Sequence, residues 1–303
     1  MSDHFRSGYV AVIGRPSVGK STLMNALLGQ KVAAVSPKPQ TTRRRQLGIL
    51  TTEVAQVVFV DTPGIHKPVH KLGVYMNAVA EDALLDADMI LWLVAVDQPP
   101  MSEDRQIASI LKNLKRTKPV LLVLNKMDAI RDISNHKQQY QDLFSSAESI
   151  SISAQKKTNT AELLSLIISR LPEGSPFLDP DQVSDLYERE ISNDLIREAC
   201  LKLLKEEVPH SLAIRVDEFT ERSENLAYIA ATLIVDRESH KSIVIGKGGT
   251  MLKEIGSLAR QEIETMTGRK IYLELRVKVQ KNWRDDPQML KVLGYTLKEE
   301  KHQ

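Results

Sequence analysis

Residues 14–21 read GRPSVGKS, a loop that opens on Gly14, passes Gly19 and closes on Lys20 and Ser21. The short apolar run Tyr9–Ile13 precedes it, and a helical pattern begins near Lys20. Strand, glycine-bounded loop and helix in that order match the phosphate-cradling P-loop, G-x-x-x-x-G-K-[ST]. The glycines let backbone N–H groups curl around phosphates at a helix N-terminus, where peptide dipoles favour an anion. Gly14, Ser17, Gly19, Lys20, Ser21 and Thr22 are therefore the phosphate-side candidates. Lys20 is expected to reach the β- and γ-phosphates, and the Ser21 hydroxyl to bind Mg²⁺.

Two later motifs narrow the nucleotide. Asp61-Thr62-Pro63-Gly64 follows the apolar run Val57–Val60, where a magnesium-side carboxylate belongs, and the Gly64 N–H can sense a γ-phosphate. Asn125-Lys126-Met127-Asp128 follows Val120–Leu124. The Asp128 carboxylate can accept hydrogen bonds from guanine N1–H and its 2-amino group. Adenine has neither donor and would leave that carboxylate unpaired, so the motif selects guanine. Asn125 is expected to brace the P-loop, and the Lys126 stem to lie over the base. Ser153-Ala154 ends the run Ser149–Ile152 and can offer the Ala154 N–H to guanine O6.

The stretch Pro37–Arg45, PKPQTTRRR, is polar and poor in regular-structure signals, as a switch loop would be. Thr42, with Thr41 in reserve, is the expected second magnesium ligand. Arg43–Arg45 read as a solvated run or a phosphate contact. Lys20, Thr42 and Gly64 are the catalytic candidates. Ile65 occupies the place where Ras-type enzymes carry a water-orienting Gln, so intrinsic hydrolysis should be slow. His66 beside it reads as an exposed loop residue.

The 303 residues suit two domains. A hydrophobic content of 42% with 26% charged residues is ordinary for a globular protein and argues against disorder. A single cysteine, Cys200, excludes an internal disulfide and fits a reducing, cytoplasmic compartment; its apolar neighbours make it a buried small hydrophobe. No apolar run approaches the ~18 residues of a membrane span. The net charge of +2 excludes a chain-wide basic surface, so any nucleic-acid contact must be local.

Apolar runs alternating with helical stretches over residues 9–172 predict a largely parallel α/β sheet. Leu171–Asp185 concentrates Pro, Gly, Ser and Asp without period, as linkers do. The expected division is a domain over 1–172, a linker over 173–185 and a second domain over 186–303. The second half reads helix, two strands, a glycine-rich turn, helix and strand. Its turn, Gly246-Lys247-Gly248-Gly249 within VIGKGG, is the G-x-x-G of KH domains, which clamps about four nucleotides of single-stranded RNA. Ile245, Gly246, Lys247, Gly248, Gly249 and Lys253 are the candidate RNA contacts. Ile243, Val244 and Ile245 could add an apolar floor, and Trp283 reads as partly buried, as a base-stacking surface or as a contact with a membrane interface. Arg269, Lys270, Arg276, Lys278, Lys281 and Arg284 form a cationic cluster that could follow a phosphate backbone.

GRPSVGKS, PQTTR, DTPG, NKMD and VIGKGG, in that order along nearly the whole chain, resemble the Era family of bacterial GTPases. The resemblance implies a Ras-like P-loop domain followed by a smaller α+β KH domain of type II, with GTP or GDP and Mg²⁺ as ligands. It implies binding to the 3′ end of 16S rRNA, a role in 30S subunit assembly, and loose attachment to the inner membrane of an otherwise cytoplasmic protein. Several relatives carry an Asn that supports potassium binding where this chain has Ser17, so the resemblance leaves potassium stimulation open, with the Ser17 hydroxyl as a weaker oxygen ligand. The rival reading is a KH RNA-binding module whose other domain binds GTP passively. No coiled-coil heptads occur, and a monomer is expected.

Overall fold

Seven-residue strands with no exposed position make the centre of the first sheet. MILWLVA in β4 (Met89–Ala95) and AQVVFVD in β3 (Ala55–Asp61) are buried throughout, as strands covered on both faces must be. The computed structural model describes residues 4–36, 38–116 and 118–296. These form two compact units, one holding 4–33, 42–67, 76–116 and 118–185, the other holding 34–36, 38–41, 68–75 and 186–296.

The first unit adds β1 (Arg6–Ile13), β2 (Gln46–Thr51), β5 (Val120–Asn125) and β6 (Glu148–Ser151), in the order β2-β3-β1-β4-β5-β6. Only β2 is antiparallel to its neighbour. Successive side chains point to opposite faces of a strand. Val10, Val12, Leu91 and Leu93 accordingly pack with Leu23 and Met24 of α1 (Lys20–Leu28) and Leu163 and Ile167 of α5 (Thr160–Arg170). Ala11, Ile13, Ile90 and Trp92 pack on the other side with α2 (Lys71–Asp86), α3 (Ser102–Lys112) and α4 (Ser134–Leu143). The expected α/β class is thus observed. Its P-loop, Asp61 and Asn125 all lie at carboxyl ends of parallel strands, where ligands bind in open α/β sheets.

Two elements of the first unit escape the sequence reading. β2, QLGILT, runs on directly from the polar loop and its arginines, and only its pairing with β3 defines it. α4, SNHKQQYQDL, buries Tyr140 alone and so shows no apolar stripe.

The aperiodic stretch after α5 is pinned along the first unit. The N–H groups of Phe177 and Leu178 donate to Gln56 Oε1 at 2.7 and 3.0 Å, and Phe177 stacks on Tyr9 with centroids 5.3 Å apart. Farther on, the Ile49 N–H donates to Val183 O at 2.8 Å, Gly48 bridges Ser184, and the Leu47 N–H donates to Asp185 Oδ1 at 2.8 Å. This strap occupies the side of β2 that faces away from β3.

The second unit contains α6 (Glu188–Leu203), β7 (Ala213–Ser223), β8 (Leu226–Val235), α7 (Glu238–Ile245), α8 (Thr250–Thr267), β9 (Lys270–Val279) and α9 (Pro287–Val292). β7 and β8 form an antiparallel hairpin, and β9 pairs parallel to β8 at the edge. Ile255, Ala259 and Ile263 recur every fourth residue of α8 and are buried against Ala227, Ile229, Ala231 and Leu233 of β8. Cys200 is wholly buried there, and burial pushes its thiol up to about 12. Trp283 is fully buried too, its indole N–H donating to Ser211 O at 2.8 Å, so it presents no stacking surface. Among the described residues, no helix is long and apolar enough to cross a membrane.

Candidate functional site

Three oxygen donors from separate elements converge below the P-loop. Ser21 Oγ, at the start of α1, donates to Asp61 Oδ2 at 2.7 Å; Thr42 Oγ1 lies 2.9 Å from Ser21 Oγ and donates to the same carboxylate oxygen at 3.1 Å. Thr41 points its hydroxyl elsewhere, to Lys38 O at 2.9 Å, which separates the two threonines that the sequence could not. Pro37, the first residue of the expected switch loop, lies outside the described residues. Asp61 is fully buried, and its Oδ1 has no hydrogen-bond partner among the described residues. A buried carboxylate oxygen left bare beside two hydroxyls is the hard, oxygen-only donor set that Mg²⁺ takes. Burial raises the Asp61 pKa against the pull of the Lys20 charge and the two hydroxyls.

Lys20 Nζ, also buried, donates to the carbonyls of Gly14 and Arg15, each at 3.1 Å, and burial lowers its pKa to about 8. The loop thus curls around its own ammonium and aims it into the space enclosed by Gly14–Ser21. Gly64 follows Asp61 and closes on the P-loop so tightly that a Cβ there would sit 2.6 Å from Pro16 N. Ile65 is fully buried in the apolar layer with Ile13 and Ile90, so the position that would carry Gln orients nothing. The His66 ring nitrogen Nδ1 is 2.8 Å from Gly64 O, and Asn77 of α2 brackets its backbone through both amide atoms.

At the base end, Asn125 does what its motif demands. Its Nδ2 donates to Val18 O at 2.8 Å and its Oδ1 accepts from the Ala154 N–H at 2.9 Å, tying P-loop and last loop together. The Ala154 N–H, expected at guanine O6, thus already donates to Asn125 and would meet the base as a shared donor. Lys126 has a left-handed backbone (φ 63°) and places Nζ 3.6 Å from Asp97. Hydrogen bonding from Ser153, with Lys156 at 3.6 Å, holds the Asp128 carboxyl below the usual carboxylate range, so it stays an acceptor. Asp128→Asn is expected to reverse the preference from guanine to xanthine nucleotides by about a hundredfold or more, because the amide donates to the xanthine O2. Competition binding of GDP against XDP reads this directly, and an unchanged guanine preference would take Asp128 off the base.

Sequence reasoning missed a buried prop behind the loop. Arg15 Nε donates to Asp104 Oδ2 at 3.2 Å, and that oxygen also accepts from Met101 N at 2.9 Å and Tyr140 Oη at 3.3 Å. Asp104 is fully buried, and burial raises its pKa. The signal was unreadable because Asp104 sits on α3 as one acidic residue of the polar string SEDR. Arg43, read as exposed, is in fact buried (4% exposed), whereas Arg45 lies 3.6 Å from Asp86 at the surface.

In the second unit, α7 and α8 flank the glycine-rich turn, whose Gly246, Gly248 and Gly249 all have positive φ. Gly248 (φ 61°) has nothing within 4 Å of where a Cβ would stand, so this turn is exposed backbone, with Lys247 beside it in solvent. Next to it a groove of about 470 Å³ has Leu252 and Gly256 of α8 as one wall and Leu273 and Leu275 of β9 as the other. Lys253 and Arg260 line its rim. The apolar floor therefore comes from α8 and β9, not from the run before the turn: Val244 is fully buried and Ile243 is 49% exposed. The cationic cluster is also thinner than its sequence. Arg269 pairs with Glu221 at 3.0 Å, Arg276 with Glu274 at 2.7 Å and Arg284 with Asp236 at 2.7 Å.

Residues 9–126 match the 50S ribosome-binding GTPase family, and residues 207–284 match the KH domain family. The chain is 46% identical over 292 residues to the GTPase Era of Clostridium kluyveri, covering 96% of this chain and 99% of that protein. It is 44% identical over 300 residues to the GTPase Era of Heliobacterium modesticaldum, covering 98% of this chain and all of that one. A crystal structure of Era in complex with MgGDPNP and nucleotides 1506–1542 of 16S ribosomal RNA superposes with a TM-score of 0.92 at 41% identity, covering 97% of this chain and all of that one. A point variant of Aquifex aeolicus Era bound to GDP·AlF4⁻ gives 0.91 at 40% identity, with 97% of this chain and all of that chain covered.

Proposed function

The chain belongs to the Era family of GTPases, and from that premise we propose that it is a GTP-hydrolysing switch that binds the 3′ end of 16S rRNA and acts in assembly of the small ribosomal subunit. The single observation that carries this reading is the near-full-length match to the Era crystallised with MgGDPNP and that RNA segment. GTP and GDP, with Mg²⁺, are its ligands.

The residues divide the work as follows. Lys20 supplies the fixed positive charge at the phosphates, and the Gly64 N–H reports whether a γ-phosphate is present. Ser21, Thr42 and Asp61 would hold Mg²⁺, which when bound neutralises charge building on the phosphate oxygens. Asn125 keeps the P-loop in register, and Asp128 reads the base. The catalytic deficit at Ile65 remains, so turnover is slow until RNA, a subunit or another partner supplies the missing group. The passive-module alternative gains nothing from the relatives.

In the KH unit, Lys247 and the exposed backbone at Gly248 meet phosphates while bases enter between α8 and β9. Leu252, Gly256, Leu273 and Leu275 join Ile245, Gly246, Gly248, Gly249 and Lys253 as the RNA contacts. The protein acts in the cytoplasm, with contact at the inner membrane confined to peripheral attachment.

Fluorescence anisotropy of an RNA matching nucleotides 1506–1542, titrated with GDP-bound and then GDPNP-bound protein, tests the reading. Tighter binding in the GDPNP state is expected. Equal binding in both states would remove the switch and keep the RNA contact; no binding in either would overturn the reading.

A further inference from the structure

The two faces of the second sheet differ in kind. The odd-numbered residues of β8 and β9, from Ala227 to Val235 and from Ile271 to Val279, pack toward the helices, burying Ile229, Leu233 and Ile271. The even-numbered residues point the opposite way. There Tyr228 of β8 and Tyr272 of β9 are register partners, with ring centroids 5.7 Å apart and planes 26° from parallel. Arg222, at the end of β7, holds its guanidinium 4.7 Å from the Tyr228 ring centroid. Three flat π-groups, one from each strand, thus form a row across the sheet.

This row is open and held in place. Tyr272 is 61% exposed, and Arg222 lies in solvent. The Tyr228 hydroxyl donates to Glu274 Oε2 at 2.8 Å, while Arg276 grips the other oxygen through two N–H groups at 3.0 and 2.7 Å. The Glu274 carboxylate is thereby neutralised, and Glu218, the other acid that acts on Tyr228, accepts from Thr220 Oγ1 at 2.9 Å. Lys270 and Lys278 extend from the same face of β9, both exposed and without an ion pair among the described residues. A cross-strand aromatic pair contributes to sheet stability on its own. That role does not call for a ring left open at the sheet edge with the Lys270 ammonium two residues away on the same face.

Bases stack on aromatic rings and on guanidinium planes, and their phosphates require nearby cations. We propose that this open sheet face is a second RNA contact, in which an unpaired base stacks on Tyr272 and the adjoining phosphate lies against Lys270, two residues along β9. Lys278, about 20 Å from Tyr272 along the strand, meets a phosphate several nucleotides away. β9 is the edge strand, and its odd residues Leu273 and Leu275 wall the groove beside the glycine turn. A strand leaving that groove passes over the β9 edge and reaches Tyr272 on the far side. The proposal rests on the KH unit binding RNA, and its test separates the two.

Two RNAs are titrated against wild type, Tyr272→Ala, Tyr272→Phe and a Lys247→Asp/Gly248→Asp double variant. One is an oligoribonucleotide just long enough to fill the groove; the other spans nucleotides 1506–1542 of 16S rRNA. Tyr272→Ala is expected to weaken the longer RNA by about tenfold or more and leave the short one unchanged, and Tyr272→Phe to bind both like wild type. An unchanged affinity of Tyr272→Ala for the longer RNA overturns the platform. So does an equal loss on the short one, which would place Tyr272 in the groove. Loss confined to purified 30S subunits, with naked RNA unaffected, overturns it in favour of a protein contact. Should wild type bind neither RNA, or the double variant bind both normally, the groove reading itself falls.

Discussion

Lys20→Ala is expected to lower GTP turnover on the order of a thousandfold while the protein stays folded. The ammonium is the fixed cation inside the P-loop, held by the Gly14 and Arg15 carbonyls and aimed where phosphates would lie. Its burial is unfavourable in the absence of an anion, since desolvation lowers its pKa to about 8. Removing it relieves that desolvation but takes the opposing charge from buried Asp61, so the thermal melt should stay close to wild type. Single-turnover hydrolysis and a melting curve, measured on the same sample, separate the two effects. Near-normal turnover, or loss of turnover together with unfolding, would count against the phosphate role.

The second large effect belongs to the glycine turn. Replacing Lys247 and Gly248 together by aspartate should weaken single-stranded RNA binding by about a hundredfold or more, because the charge where phosphates approach changes from +1 to −2. The fold should tolerate it: no atom lies within 4 Å of the built Gly248 Cβ, and aspartate is among the residues that accept a left-handed backbone. Basal GTP turnover, which belongs to the first unit, should match wild type. RNA binding that survived this variant would place the contact elsewhere on the chain.

How much of this was legible beforehand follows from the range of each interaction. P-loop, Asp61 and Asn125 were readable because each motif is a local solution, a strand end followed by the residues its own backbone turn requires. The KH turn was readable for the same reason. The groove beside it was not, since Leu273 and Leu275 lie more than twenty residues from Gly249 and look like ordinary alternation in a strand. Asp104 supports Arg15 from a distant helix, and nothing in SEDR announces it. Trp283 could be read as a stacking surface because its partner, Ser211 O, lies far off in the sequence across the unit. Thr41 and Thr42 are neighbours with the same chemistry, and only their side-chain directions distinguish them.

The strap over residues 177–185 has a consequence for the behaviour of the first unit outside the intact chain. A flat antiparallel edge such as β2 is a template on which other chains can add strands. Here the Val183 carbonyl, Ser184 and the Asp185 carboxylate already occupy that edge. A fragment cut after Arg170 bares it and should self-associate and precipitate, whereas one ending at Asp185 carries its own guard strand and should stay monodisperse in light scattering. The stretch that looks most like a spacer is, on this view, what keeps copies of the molecule from adhering to one another.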